Sequence, residues 1–284
     1  MRVGINSCLW TPSPTTHMVA ELATRTRAAG GDWLELPIYA DSAELDCRAA
    51  RMILEDCAVG VSVVTALWPT EDLIDAEITV SRRGVDALKS CIESAAILGA
   101  PLLSGAFYSA PGRLQWSSPL QRSQIVERLC ERLTELADFA AHHAVTICIE
   151  PLNRYETSVL NSTEQALEVV RRVGHPNCGV LLDTFHMNIE EASIGAAIRS
   201  AGPWLRHLHA NENHRGSPGT GSIDWVEVRD ALRAVQFDGA MVIESFDFLN
   251  EEVARGGHCW RPIAPSADAL ARDGIGFLRE LMSS

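Results

Sequence analysis

Short apolar runs rich in β-branched residues recur along the chain at 3–7, 33–37, 61–66, 101–105, 145–150, 178–183, 205–209 and 241–244. Longer stretches with helical spacing follow them, among them 15–29, 81–98, 122–142, 162–173 and 224–235. Several runs are continuously apolar, as in TICIE and GVLLD. That suits strands covered on both faces, because a half-wet antiparallel strand would alternate apolar and polar residues. Within 122–142, Ile125, Val126, Leu129, Leu133 and Leu136 form one stripe opposite a charged face, the mark of an amphipathic helix. Ser162 followed by Gln165 predicts an N-cap and capping box opening the helix over 162–173. Eight strand–helix units in 284 residues average about 35 residues each, the size of one repeat in a closed barrel. No linker-like tract interrupts the series. The expectation is an α/β fold, a (β/α)8 TIM barrel forming a single domain over residues 1–284. A doubly wound open sheet would show a Gly-rich fingerprint after the first strand, and INSCLWTPSP has none.

Composition narrows the function classes. Hydrophobic residues make up 46% and charged residues 21%, which excludes extended disorder. No apolar run reaches the roughly 18–20 residues of a membrane span. The start, MRVGINSCLW, lacks a charged segment followed by an apolar one, so no export signal is expected. There are 24 basic residues against 37 acidic ones, a net charge of -13, and no dense Lys/Arg cluster. Nucleic acid is therefore not an expected partner. The eight cysteines include no C-x-x-C pair, and several sit in apolar runs as small hydrophobes. Reduced thiols in the cytoplasm are the simple expectation.

The polar residues fall in a telling place. Barrel active sites sit at the C-terminal strand ends. The fifth run ends at Glu150, the sixth at Asp183, the seventh at His209 and the eighth at Glu244. One such ending is commonplace as a helix cap. Four consecutive ones, after otherwise apolar strands, point to a site. Carboxylates gathered there would repel one another and raise their own pKa values, and a divalent cation removes that repulsion. Three carboxylates and one imidazole suit Mn²⁺, Mg²⁺ or Co²⁺ better than a thiolate-type zinc site. His207, two residues before His209, points to the same strand face. It is either a deeper barrel-layer residue or the true ligand, with the strand-end position favouring His209.

Further polar residues lie in the loops on the same face: Glu156, His186, Glu212, His214 and Arg215. Shared placement favours Glu156, His186 and Arg215 as site groups. GSPGTG at 216–221 is a weak phosphate-loop signal; a tight lid turn before the helix at 224 explains it equally well. Nucleophilic catalysis has little support, since no G-x-S-x-G occurs and Cys259 beside His258 is the nearest thiol candidate.

With NRYET after a strand-end Glu, LLDTFHMNIEE, the stretch H-x-H-A-N-E-N-H-R-G-x-P-G-x-G-x-I-D-W, and VIESF, the chain resembles the ketose 3-epimerases. These are the D-tagatose/D-allulose/L-ribulose 3-epimerase group within the xylose isomerase-like barrels. The likeness runs from about residue 3 to residue 281 and is strongest from 150 to 246. The resemblance implies Glu150, Asp183, His209 and Glu244 as metal ligands, the same four strand ends. It implies Glu156, His186 and Arg215 as contacts to oxygens on the first three carbons of a free ketose. It also implies Mn²⁺, with Co²⁺ or Mg²⁺ accepted, and a homodimer or homotetramer, with Trp116 on the rim where family members pair. The chemistry expected is inversion at C3 through a cis-enediolate, with Glu150 and Glu244 removing and returning the proton on opposite faces. The nearest rival is an aldose–ketose or hydroxypyruvate-type isomerase on the same barrel, moving protons between C1 and C2. Departures from the family pattern gather where the far end of the sugar belongs: Asn6, Cys8 and Trp10 in the first strand region, and Ala110 and Pro111 after the fourth.

Overall fold

Each apolar run pairs with its sequence neighbours. The strands are β1 (Arg2–Asn6), β2 (Trp33–Pro37), β3 (Gly60–Val64), β4 (Leu102–Gly105), β5 (Thr146–Ile149), β6 (Cys178–Asp183), β7 (Leu205–His209) and β8 (Ala240–Ile243). In this computed structural model, which describes residues 1–284 apart from the side chain at 252, they close in chain order into one parallel barrel. The expected (β/α)8 barrel is the observed fold. Every residue of β2 and β6 is buried, Glu35 and Asp183 included, as strands covered on both faces require.

Helices cover the outside: α1 (Val19–Ala28), α2 (Cys47–Asp56), α3 (Ile78–Leu98), α4 (Pro119–His142), α5 (Thr163–Val173), α6 (Thr184–Glu190), α7 (Ile194–Ala201), α8 (Trp225–Ala234), α9 (Glu251–Gly256) and α10 (Ala267–Ser283). The stripe on α4 buries Val126, Leu129, Leu133 and Leu136, while Ile125 lies half-buried at its edge. Each fully buried Leu there contributes about 1.5–3 kcal/mol relative to exposure. α4 begins at 119, three residues before the sequence expectation, because Ser118, Pro119 and Gln121 form a complete capping box with Pro in the first turn. At α5 the box is only half closed. Ser162 Oγ accepts from the Gln165 amide, but the Gln165 side chain takes the Asn161 amide instead of that of Ser162.

Two details set the mouth of the barrel. Gly105 ends β4 at φ +130°, and a Cβ there would lie 2.2 Å from the Thr65 carbonyl oxygen, so only glycine fits. Its carbonyl accepts from the Glu150 amide at 3.1 Å, which seats Glu150 at the rim. Helix α6 starts directly after β6, with Asp183 as its N-cap; Oδ1 accepts from the Phe185 amide at 2.8 Å. That bond leaves Oδ2 for the barrel mouth. α6 lies outside the helices read from the sequence, as do α2, α7, α9 and α10.

Candidate metal centre

The four strand-end residues meet. Asp183 and His209 are the last residues of their strands, and Glu150 and Glu244 stand one position beyond theirs. One donor atom from each lies within 4.8 Å of the others. His209 Nδ1 stands 3.5 Å from Glu150 Oε1, 3.6 Å from Glu244 Oε2 and 4.0 Å from Asp183 Oδ2. Glu150 Oε1 and His209 Nδ1 are buried without a hydrogen-bond partner. Buried polar atoms are normally paired, so two orphans facing a common point call for something between them. Three carboxylate oxygens and one imidazole nitrogen fit a divalent cation of the Mg²⁺, Mn²⁺ or Co²⁺ type.

His207 lies in a deeper layer. Its Nε2 is 2.8 Å from Glu35 Oε2, and it belongs to a group with Glu35 and His209, apart from the strand-end carboxylates. Glu35 is a fully buried acid on β2 and was not a candidate from the sequence. The only signal was one charge inside WLELP, an otherwise apolar strand. His209 Nε2 is 2.7 Å from its Oε1, so the two ring nitrogens of His209 face Glu35 and the carboxylate cluster respectively.

Burial and charge shape the titrations. Burial, with Glu244 and Asp183 adding repulsion, pushes Glu150 up to about 7 against the pull of His209. Burial also disfavours charge on Asp183, but Arg215, His186 and His209 outweigh it and hold the carboxyl below its ordinary range. For Glu35 burial is likewise overcome, by His209 and His207, and its carboxyl sits well below the usual range. His209 is held well above its usual value: burial opposes the charge, but Glu35 and Glu244 prevail.

The loop candidates separate into two groups. Arg215 is buried, with Nη1 2.8 Å from Asp183 Oδ2 and 3.1 Å from Glu244 Oε2, and its guanidinium lies 4.1 Å from the Phe185 ring centre. Its backbone adopts φ +61°, unusual for a non-glycine, and Ser245 Oγ donates to its carbonyl at 2.6 Å. His186, on α6, is pushed down to about 4 chiefly by burial and so is neutral. The Asn153 amide donates to its Nδ1 at 3.3 Å, which assigns the ring proton to Nε2, facing Glu150 and Asp183. Asn153, unmarked in the sequence, also donates from Nδ2 to Glu156 Oε1 at 2.7 Å, holding Glu156 beside His186.

Glu212 anchors the turn between β7 and α8. Its carboxylate accepts from the amides of Gly219, Ile223 and Asn213 and from Trp225 Nε1, at 2.9–3.1 Å. The GSPGTG amide of Gly219 is thus spent on an internal carboxylate, and the segment is a tight turn, not a phosphate cradle.

A cavity of about 650 Å³ opens over the four strand ends. Glu150, Glu156, His186, Arg215 and Glu244 line one side, while Cys8, Pro37, Tyr39, Val64, Ala106 and Trp260 line the other. His258 and Arg261, from the loop after β8, also reach it.

A family described as xylose isomerase-like TIM barrel matches residues 23–281. The chain is 32% identical over 286 residues to an L-ribulose 3-epimerase of Mesorhizobium japonicum, covering 98% of this chain and 93% of that protein. It is 34% identical over 227 residues to a D-psicose 3-epimerase of Agrobacterium fabrum, covering 78% of each. A crystal structure of D-allulose 3-epimerase from Methylomonas sp. in complex with D-allulose superposes with a TM-score of 0.90 at 26% identity, covering 99% of this chain and 96% of that one.

Proposed function

From a chain that belongs to the xylose isomerase-like TIM barrel family, we propose a metal-dependent ketose 3-epimerase that inverts C3 of a free ketose. The observation that carries this reading is the convergence of Glu150, Asp183, His209 and Glu244 on one buried point at the barrel mouth. Glu150, Asp183, His209 and Glu244 would hold the cation. A bound cation would act as a Lewis acid on the sugar's C2 carbonyl and make the C3 proton more acidic.

The chain's own groups account for the rest. Glu150 and Glu244 are the two proton-transfer groups, one abstracting from C3 and the other delivering to the opposite face. Arg215 places fixed positive charge where the enediolate oxygens gain negative charge, and His186 offers a neutral Nε2–H donor to the same oxygens. Glu156, held by Asn153, accepts a hydrogen bond from a hydroxyl at the near end of the sugar.

Mn²⁺ is our choice of metal, with Co²⁺ or Mg²⁺ as substitutes, since the donor set is oxygen-rich with one imidazole. We place the protein in the cytoplasm: its cysteines are free thiols among the described residues, and no helix is long and apolar enough to cross a membrane. We also propose a homodimer or homotetramer, supported by Leu114, Trp116, Leu120 and Tyr155, all large apolar groups exposed on loops and a helix start beside the mouth. Light scattering at micromolar concentration reads the mass, and a monomer contradicts the assembly. The deciding functional test is a panel of free ketoses with Mn²⁺. C3 epimers are expected; aldoses formed by C1–C2 transfer would instead make it an aldose–ketose isomerase.

A further inference from the structure

Beneath the four converging donors lies a second polar layer that no proton-transfer role uses. Adjacent strands place Asn6 opposite Glu35 and Glu35 opposite Ser62. Donors converge on the Glu35 carboxylate from both sides of the barrel. Oε1 faces His209 Nε2 at 2.7 Å and Asn6 Nδ2 at 3.0 Å. Oε2 faces His207 Nε2 at 2.8 Å and Ser62 Oγ at 3.0 Å. A fully buried carboxylate is costly unless it is paired and hydrogen-bonded, and this one is both.

We propose that Glu35 is a positioning residue that fixes His209 with Nε2–H bonded below and the Nδ1 lone pair aimed at the strand-end carboxylates. The inference rests on the reading of His209 as a metal ligand. Glu35 Oε1 accepts from Asn6 Nδ2 and lies 2.7 Å from His209 Nε2, so the ring proton sits on Nε2 and the nitrogen left for a cation is Nδ1. The hydrogen bond also holds the ring plane and raises the basicity of Nδ1. Asn6 extends the layer upward: the same Nδ2 that donates to Glu35 lies 3.5 Å from Glu244 Oε1, so the anchor bears on a second strand-end group. His207 occupies the other oxygen and meets His209 edge-on, with ring centres 5.5 Å apart.

The variant to make is Glu35→Gln, which keeps the shape but replaces one accepting oxygen with a donor and removes the charge. Mn²⁺ affinity is read by titration with electron paramagnetic resonance of the free ion. The expected result is binding weaker by about 10–100-fold, with lost turnover recovered as Mn²⁺ is raised. A second readout uses Co²⁺-loaded protein. Its proton NMR spectrum should contain one far-shifted, solvent-exchangeable imidazole N–H from His209, slow to exchange in the wild type and faster in the variant. Equal Mn²⁺ affinity together with equal exchange overturns the role of Glu35 and leaves the metal site standing. Failure of the wild type to take up Mn²⁺ removes both readings. If the variant does not fold, the wild-type spectrum decides: an N–H that exchanges as fast as one open to water overturns the proposal.

Discussion

The two sides of the barrel mouth differ in kind. The side built by β5 to β8 is charged, buried and heavily cross-bonded: Arg215 spans Asp183 and Glu244, and Asn153 spans Glu156 and His186. The side built by β1 to β4 and the loop after β8 presents mostly neutral or apolar groups to the cavity and is partly open, with Cys8, Pro37, Tyr39, Val64 and the exposed Trp260, and with Arg261 as a cation at its rim. Tyr39 is braced by Trp68, ring centres 5.3 Å apart, and not by ions. The contrast separates labour. Groups that change charge in a reaction need fixed partners at fixed distances, whereas groups that only recognise the rest of a sugar need shape. Changes on the charged side should therefore lower kcat, and changes on the neutral side should move KM and substrate preference.

The largest effect is expected at the two glutamates. Glu150→Gln or Glu244→Gln keeps a neutral oxygen at the site and removes the proton acceptor. Loss of a general base alone costs about 10²–10⁴-fold, and damage to cation binding adds to it. In deuterated water the wild type should place deuterium at C3 of the product. Each single variant should still exchange the C3 proton of the one epimer whose exposed face meets the surviving carboxylate. Near wild-type epimerisation in both variants, with metal bound, refutes the two-carboxylate mechanism.

Metal removal comes next, with a pH dependence of definite sign. Glu150 titrates at about 7 in the folded chain, against an ordinary 4.5. Between those values the folded form holds a proton that the unfolded form has lost, so metal-free stability from this group is present at low pH and declines as pH rises through about 7. Asp183, with its lowered value, has the opposite sign but acts only at lower pH, near and below its ordinary 3.8. A cation replaces the proton at the cluster. The rise in Tm on adding Mn²⁺ should therefore be larger near pH 8 than near pH 5, reaching about 2.7 kcal/mol of stabilisation at a hundredfold excess over Kd. A chelator that leaves activity and Tm unchanged, or a Tm gain that is larger near pH 5, contradicts this.

The sequence disclosed the charged side far better than the neutral one, and the reason is physical. Strand-end carboxylates after TICI and GVLL break an apolar run where a barrel must be polar, so Glu150 and Asp183 are visible as position and chemistry together. The eight strands were legible for the same reason, since burial on both faces enforces continuous apolar runs. Asn153 and Glu35 were not. Their roles come from partners 33 and 174 residues away, His186 and His209, and a lone polar residue carries no mark of a distant partner. The loop after β8 was hidden too, because His258, Trp260 and Arg261 reach the mouth only through the path of α9 and the turn that follows it. The short α6 escaped notice since its N-cap, Asp183, already stood as the end of a strand.

On the neutral side the expected effects are smaller and of another kind. Trp260 is 68% exposed at the cavity edge, and its ring centre lies 6.0 Å from that of His258. A sugar lying across it would bury apolar ring surface without touching the reacting carbon. Trp260→Ala should raise KM about tenfold, roughly 1.4 kcal/mol of uniform binding, and leave kcat within about threefold. Steady-state kinetics on two ketoses that differ only beyond C3 should show unequal losses. A fall in kcat as large as the fall in kcat/KM would erase the division between the two sides.

The smallest effect tests the same division with charge in place of shape. A 6-phosphorylated ketose, bound with C2 and C3 at the charged side, carries its dianion to the neutral side. The buried cation of the mouth, Arg215, is already committed to Asp183 and Glu244. The Gly219 amide that a phosphate loop would offer is bonded to Glu212. Arg261 does line the cavity, but it is exposed at the rim, where water and salt screen its charge. The chain as a whole carries a net charge of -13, which disfavours approach of a dianion. The free ketose should therefore have the higher kcat/KM, by about threefold to tenfold, with the gap narrowing as salt is raised. Arg261→Ala should widen the gap slightly and leave the free sugar nearly unaffected. A phosphorylated ketose that turns over faster than its free form would mean that the neutral side holds an anion site, and the two sides of the mouth would no longer divide as shape against charge.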